Sequence, residues 1–542
     1  MEPSAIKGVP PVDGLSAWWR SAVLYQIYPR SFVDRNGDGV GDLAGVTAQL
    51  DYLVKLGVDA VWLSPIYSSP MVDFGYDITD HCRIDPIFGT LEDFDQMLAG
   101  AHGRGLRVVL DFVPNHTSDR HPWFEQSRAS RTNPRRDWYV WADPDDDGGP
   151  PNNWLSSFAA AGSAWTLDAI TGQYYLHSYA VEQPDLNWAN PAVREAMIGV
   201  LRFWLDRGVD GFRVDAVHRL IKDPTLAHNP PEVAQARTGL GEHARLLRHI
   251  DQPGVHGVIR ELRAALSDYE PEPLLLGEVG VADPERWAAY YGDGDELMLT
   301  LNFAFWSQPW SAAAFHDVIA ATTRLVPDGA WPVWALGNHD IMRLATRYDQ
   351  DGRGPSRARL AAMMLLTLRG TPLLYYGDEI GMTNVAVPAG DAVDIDGRDA
   401  VRTPMQWSPG LNAGFTTAST PWLPVPDARF ENDNVTDQQA DPGSLWSLYH
   451  DLIALRRSTP ALSDGESLLL PTDGHVLAYR RAAARQCVLV ALNFDHNPHS
   501  VSLPADLTGG QILLSTDPRR QQRACGDMVE LAANEGVIIK CS

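Results

Sequence analysis

Cysteine is scarce in this chain of 542 residues: only Cys82, Cys487, Cys525 and Cys541, scattered and with no CxxC pair. Four such thiols build no disulfide framework, and they fit a reducing compartment without disulfide dependence. Basic charge is also short. Lys and Arg number 44 against 69 Asp and Glu, a formal net charge of −25. No basic stripe offsets it, which argues against nucleic acid or an anionic membrane as partner. No apolar run reaches the roughly 18 residues that a membrane span needs. Met1 to Leu15 lacks a basic stretch followed by an apolar one, so no secretory leader is expected and a cytoplasmic location is. No GxGxxG follows the first apolar run, which weakens a dinucleotide-binding reading. No internal repeat is visible.

What is present is an ordinary apolar content of 44% and 18 Trp. Eight short apolar runs occur in order: Val23–Phe32, Ala60–Pro65, Arg107–Val113, Val209–Val217, Leu274–Val279, Leu299–Phe305, Val333–Leu336 and Pro372–Tyr376. Helical stretches such as Leu43–Leu56, Leu91–Arg104, Pro191–Arg207 and Val255–Ser267 separate most of them. Strands alternating with helices imply parallel pairing, and eight units fit a (β/α)₈ barrel. Two intervals are too long for plain connections. Residues 117–183 read as a small domain inserted after the third strand. Thr383–Gly443 is a second excursion, with Trp407, Phe415, Trp422 and Phe430 arguing for order. Alternating short runs after Ser467 predict a terminal all-β domain. The expected division is a barrel over 1–116 and 184–462, the insertion 117–183, and a C-terminal β-sandwich over 463–542.

The polar residues of interest fall where these runs end: Asn115-His116, Asp215, Glu278 and His339-Asp340. In a parallel barrel those ends meet at one mouth. Arg213 and Asp215 are two apart on a strand, so they point the same way, and a guanidinium beside a carboxylate favours the ionised form. Like charges gathered at a mouth cost free energy, so a site that tolerates three carboxylates reads as catalytic rather than structural. Paired carboxyls, one ionised and one protonated, are what glycoside hydrolysis needs. Metal-dependent hydrolysis is the competing chemistry; His116 and His339 lack HxH or HExxH spacing for it.

Asp-Phe-Val-Pro-Asn-His ending at His116, Gly211–Val217 (GFRVDAV), Gly277–Val279 (GEV) and Leu336–Asp340 (LGNHD) resemble the four ordered motifs of the α-amylase family of glycoside hydrolases. Gln183–Asn187 (QPDLN), Tyr25–Phe32 (YQIYPRSF) and Arg402–Trp407 (RTPMQW) resemble its oligo-1,6-glucosidase/α-glucosidase branch. The resemblance implies the same barrel, insertion and β-sandwich. It implies Asp215 as nucleophile, Glu278 as general acid/base and Asp340 as transition-state stabiliser. His116, Arg213 and His339 would complete the glucose pocket, Tyr76 would stack on the sugar, and Asp77 with Arg402 beside it would bind a terminal hydroxyl. The implied activity is a retaining, exo-acting α-glucosidase on short oligosaccharides, with transglucosylation. A trehalose synthase-like or sucrose-active transferase or isomerase, or an oligo-1,6-glucosidase, is the alternative. Ala216 follows the nucleophile; a small residue there goes with α-1,4 over α-1,6 preference in this branch. The segment Arg219–Gly254 is expected to wall the pocket and favour exo-attack.

Asp34-Arg35-Asn36-Gly37-Asp38-Gly39-Val40-Gly41-Asp42 places oxygen side chains at alternate positions between glycines, which suits a hard cation. Position twelve is Gly45 rather than a bidentate Glu, so this is no regulatory EF-hand; a plain Asp/Gly turn is the competing reading. The resemblance implies Asp34, Asn36, Asp38, Asp42 and the Val40 carbonyl as ligands of a structural Ca²⁺, with Mg²⁺ as the other choice. A second calcium site, which many α-amylases place between barrel and insertion, is left open. No organic cofactor is expected, and the chain is read as a monomer or homodimer.

Overall fold

A computed structural model describes residues 17–388, 390–425, 433–483, 486–503, 509–521 and 523–540. Met1–Leu15, Phe430 and Cys541 lie outside these residues. All eight expected strands form: β1 (Leu24–Ile27), β2 (Ala60–Leu63), β3 (Arg107–Phe112), β4 (Gly211–Val214), β5 (Leu274–Gly277), β6 (Leu299–Thr300), β7 (Val333–Ala335) and β8 (Thr371–Tyr375). Their order in the sheet is β6-β5-β4-β3-β2-β1-β8-β7, and the pairings are parallel. The β1–β8 pairing folds the sheet back on itself; among the described residues the β6–β7 seam carries no ladder. β1, β2, β4, β5 and β8 are buried at every position, as strands covered on both faces must be.

Several expected elements are shorter than the apolar pattern suggested, the sixth run forming a strand only over Leu299–Thr300 before a helix at Phe303–Trp306. The first run ends as a strand at Ile27 because Pro29 has no N–H for a ladder, and Pro29–Ser31 turns instead. The stretch Leu43–Leu56 is two helices, Leu43–Ala48 and Leu50–Leu56, broken at Gln49. The Thr47 hydroxyl bonds back to the Leu43 carbonyl at 2.8 Å, a contact that bends helices.

Within residues 117–183 a helix, Pro122–Ala129, precedes a three-stranded antiparallel sheet of Trp141–Ala142, Trp165–Asp168 and Gln173–Leu176. Trp154, Trp165, Tyr174 and Leu176 pack a small core of their own there. The C-terminal part holds a five-stranded antiparallel sheet, including Val476–Ala483, Gln486–Asn493 and Gly536–Lys540, and a two-stranded one pairing His499–Ser502 with Met528–Leu531. Cys82 and Cys525 are free thiols, and Cys487 is disulfide-bonded. No helix among the described residues is long and apolar enough to cross a membrane.

Candidate active site

The centre of the mouth is Arg213. Gly211 opens β4 where a Cβ would lie 2.5 Å from the Leu274 carbonyl, so only glycine lets β4 approach β5 this closely. Register then sets Arg213 across from Asp111 on β3. One arm of the guanidinium, Nη1, donates to Asp111 Oδ1 and to Asp215 Oδ1, each at 2.7 Å. The other, Nη2, lies 2.8 Å from Glu278 Oε1. Three carboxyls thus share one buried cation. Ala216 holds a left-handed backbone, φ 43° and ψ 35°, and its N–H donates to Glu278 Oε2 at 3.0 Å. A non-glycine residue in that region stores strain, here where it orients the second carboxyl.

The charge balance corrects one expectation. Arg213 does pull the Asp215 carboxyl down, but burial pushes it up more strongly. Glu278 and Asp111 add to the rise, and the result lies well above the usual carboxylate range. Burial likewise lifts Asp111 to about 6 against the pull of Arg213. The cluster therefore retains a proton towards neutral pH, and that proton belongs to the group rather than to one residue.

Asp340 behaves in the opposite way. Burial opposes its charge, but the neighbouring guanidinium groups of Arg398, Arg402 and Arg213 pull the other way, and it is held below the usual range. His339 is depressed to about 3 by burial, so it is neutral. The Gln26 amide lies 2.8 Å from its Nδ1, and its Nε2 faces the Tyr76 hydroxyl at 2.8 Å and Asp340 Oδ2 at 3.2 Å. Tyr76 in turn donates to Asp111 Oδ2 at 3.0 Å, while its ring stacks on His339 at 5.3 Å and 3°. His116 is also kept neutral by burial, at about 4, with Gln183 Nε2 3.1 Å from its Nε2.

Two assignments change. Asp77 does not line the cavity: it accepts from Ser69 Oγ at 2.8 Å and from the N–H groups of Val72 and Asp73 at 2.9 and 3.0 Å. Asp73, four residues earlier, lines the cavity instead. Arg402 is fully buried behind Asp340, donating to it at 3.0 Å and to the His339 carbonyl at 2.9 Å. Arg398 takes the exposed place, donating to Asp73 at 2.6 Å and to Asp340 at 3.2 Å.

The cavity they enclose measures about 240 Å³, below the roughly 300–1,000 Å³ of sites for drug-sized ligands. Tyr76, His116, Asp215, Glu278, His339 and Asp340 line it. Ala216 and Arg213 sit behind that lining. Tyr179 and Phe158 reach in from the inserted segment; Arg219, Thr238 and Leu240 come from the segment after β4. Those two segments are tied together: Arg219 and the Arg237 carbonyl both bond the Ser157 hydroxyl, and Trp154 Nε1 donates to the Ala227 carbonyl at 3.0 Å. At the joint between barrel and insertion, Lys222 Nζ lies 2.8 Å from Asn115 Oδ1 and 2.8 Å from Asp185 Oδ2. An ammonium from the chain itself fills that oxygen cradle.

In the Asp34–Asp42 loop, Gly37 and Gly39 adopt φ 82° and 94°, which the turn requires. Asp34 accepts from the Gly37 and Gly39 N–H groups, each at 2.7 Å, and from the Thr416 hydroxyl. Asp42 accepts from Arg35, Asn36 and Gly45. The loop thus holds its own shape. Its donor set is all oxygen, and Asp34 Oδ1 and Asp42 Oδ1 each accept a single bond and keep a lone pair, so its chemistry fits a hard cation.

Comparison with known proteins agrees with this geometry. The family described as "Alpha amylase, catalytic domain" matches residues 26–465. A "Probable alpha-glucosidase" of Rhizobium meliloti (strain 1021) is 42% identical over 509 residues, 90% of this chain and 91% of that protein. An "Oligo-1,6-glucosidase" of Heyndrickxia coagulans is 39% identical over 538 residues, 91% of this chain and 95% of that protein. Among solved structures, the alpha-glucosyl transfer enzyme XgtA superposes with a TM-score of 0.90 at 41% identity, covering 97% of this chain and all of that one. The trehalulose synthase MutB from Pseudomonas mesoacidophila MX-45 gives 0.91 at 36% identity, covering 98% of this chain and all of the other.

Proposed function

The chain belongs to the α-amylase family of glycoside hydrolases, and on that footing we propose that it is a retaining, exo-acting α-glucosidase. It releases α-glucose from the non-reducing end of short oligosaccharides and prefers α-1,4 linkages. The observation that carries this reading is the single guanidinium holding Asp215 and Glu278 on its two arms beside a small walled cavity.

In this reading Asp215 attacks the anomeric carbon, and Glu278 gives its proton to the leaving oxygen. A glucosyl ester on Asp215 results. Glu278 then takes a proton from water, or from a sugar or alcohol acceptor, as that molecule displaces Asp215; two inversions give net retention. Asp340, held ionised by Arg398 and Arg402, faces the positive charge that develops on the ring. The Asp73–Arg398 pair lines the cavity, where it would stop a longer chain from passing, and this supports exo-attack. A transferase or isomerase reading has one specific support: the two solved neighbours above are described as a glucosyl transfer enzyme and a trehalulose synthase. Products from maltose, isomaltose, sucrose and trehalose, with and without an alcohol acceptor, separate the two. Free glucose from maltose supports hydrolysis; a rearranged disaccharide from sucrose as main product overturns it.

Ala216→Val tests the linkage preference. Each methylene-sized change in a pocket is worth about 1–3 kcal/mol and valine adds two carbons beside the nucleophile, so the maltose-to-isomaltose ratio of kcat/KM should fall by roughly tenfold or more. Wild type favouring isomaltose would refute the preference outright. For the Asp34–Asp42 loop we propose a bound Ca²⁺ or Mg²⁺ that stabilises without entering the chemistry. Chelator should then lower Tm by several degrees, restored by Ca²⁺, with kcat unchanged at a temperature where both forms stay folded. An identical Tm with and without chelator counts against the cation.

A further inference from the structure

Far from the cavity, the C-terminal sheets carry a second cluster of ligand-bearing side chains. Among the described residues, His475, Asp495 and His499 are the one group of three or more His, Cys, Asp or Glu whose ligand atoms all lie within 4.8 Å of one another. Topology brings them there. Val476 pairs with Asn493 at one end of a hairpin, so His475, just before its strand, and Asp495, just after the next, leave the sheet together. His499 opens the strand His499–Ser502, which belongs to the other, two-stranded sheet.

The local bonding aims one oxygen at two imidazoles. Asp495 Oδ1 accepts from the Asn497 N–H at 2.8 Å, and His496 Nδ1 lies 3.0 Å from the same atom. Oδ2 is left to face His475 Nδ1 at 2.6 Å and His499 Nε2 at 3.3 Å. The two imidazoles stack at 4.5 Å and 20°. An exposed His–Asp ion pair accounts for the first contact but not for the second. His499 Nε2 is buried and, apart from that 3.3 Å approach to Oδ2, has no hydrogen-bond partner. A buried imidazole nitrogen without a well-formed hydrogen bond costs free energy unless something satisfies it.

We propose that His475, Asp495 and His499 hold one borderline transition-metal ion of the Zn²⁺ class, with water completing the shell. Two imidazoles and a carboxylate suit that class and not Ca²⁺, which takes six to eight oxygens. Because the ligands come from both C-terminal sheets, the ion acts as a clip between them and takes no part at the sugar cavity. His475 and Asp495 also line a second hollow of about 620 Å³ beside Trp310 and Tyr348 of the barrel, so the site is open to entering metal.

The test uses untagged, full-length protein, stripped with chelator and desalted, in a Cys82→Ser background that removes the half-exposed free thiol. Calorimetric titration with ZnCl₂ should give one ion per chain, and Zn²⁺ should raise Tm. His475→Ala and His499→Ala should each weaken binding by more than the roughly 10–100-fold that loss of an outer-shell partner costs and abolish the Tm rise, while kcat on maltose stays at the wild-type value. Co²⁺ should give visible absorption in wild type that His499→Ala loses. Zn²⁺ binding that is equal in wild type and both variants, or no stoichiometric binding in wild type, overturns the site.

Discussion

Asp215→Asn should lower kcat on the order of 10⁴–10⁶-fold, the scale seen when a catalytic nucleophile is removed, and yet yield a protein more stable than wild type at neutral pH. The first effect follows from the chemistry: an amide cannot form the glucosyl ester. The second follows from the charge cluster. Asp215 is buried, and burial together with Glu278 and Asp111 raises its folded-state pKa above the unfolded value, despite Arg213. An acid raised on folding binds its proton more tightly when folded, so stability falls as pH rises through the unfolded value and on towards the folded one. Wild type therefore carries a penalty at neutral pH that the neutral amide does not. Asparagine can still accept the bond from Arg213 Nη1. The Tm difference between variant and wild type should be small near pH 4 and widen as pH rises to 7. A variant less stable than wild type across that range, or one keeping more than a tenth of kcat, contradicts the account. Function here is held against stability, as it commonly is at active sites.

The second large effect is on folding itself. Arg213→Met removes the cation from Asp111, Asp215 and Glu278 while keeping much of the apolar stem. Arg213 is 1% exposed and Asp111 fully buried, so solvent cannot replace the lost charge. Breaking a buried ion pair from one side costs about 3–5 kcal/mol, and here three partners lose it together. The loss should be larger at pH 7.5 than at pH 5, because protonation of the carboxyls relieves the imbalance at the lower pH. Arg213→Lys should recover part of the stability, since the charge returns but the two-armed fork does not. Thermal melts of the three proteins at both pH values read this directly. An Arg213→Met protein as stable as wild type at pH 7.5 would mean that the cluster is not held by charge.

Much of this was legible without coordinates, for a reason that also explains the gaps. A parallel barrel converts order along the chain into convergence in space, so polar residues ending successive apolar runs had to meet. Asp215, Glu278 and Asp340 were readable on that ground alone. Asp111 was not, because it lies inside an apolar strand; only the register with Arg213 makes it part of the site. The choice of Asp77 over Asp73, and of Arg402 over Arg398, failed for a related reason. Each pair is four residues apart in a loop, and which member turns inward is decided by the loop's own hydrogen bonds: Asp77 takes those of Ser69, Val72 and Asp73. No periodicity reports that. The imidazole cluster was invisible too, since His475 and His499 meet only through the pairing of strands.

Lys222 has a consequence for where such a protein can work. A dissociable ion holding barrel and insertion together would be lost to any strong chelator, and the joint would loosen as supply ran out. An ammonium tethered by its own backbone cannot diffuse away, and its local concentration does not depend on the surroundings. This joint is thus held by the chain's own charge in environments rich in citrate or phosphate. What it becomes sensitive to is chemistry on that amine: acylation would erase the charge and leave Asp185 facing an empty partner.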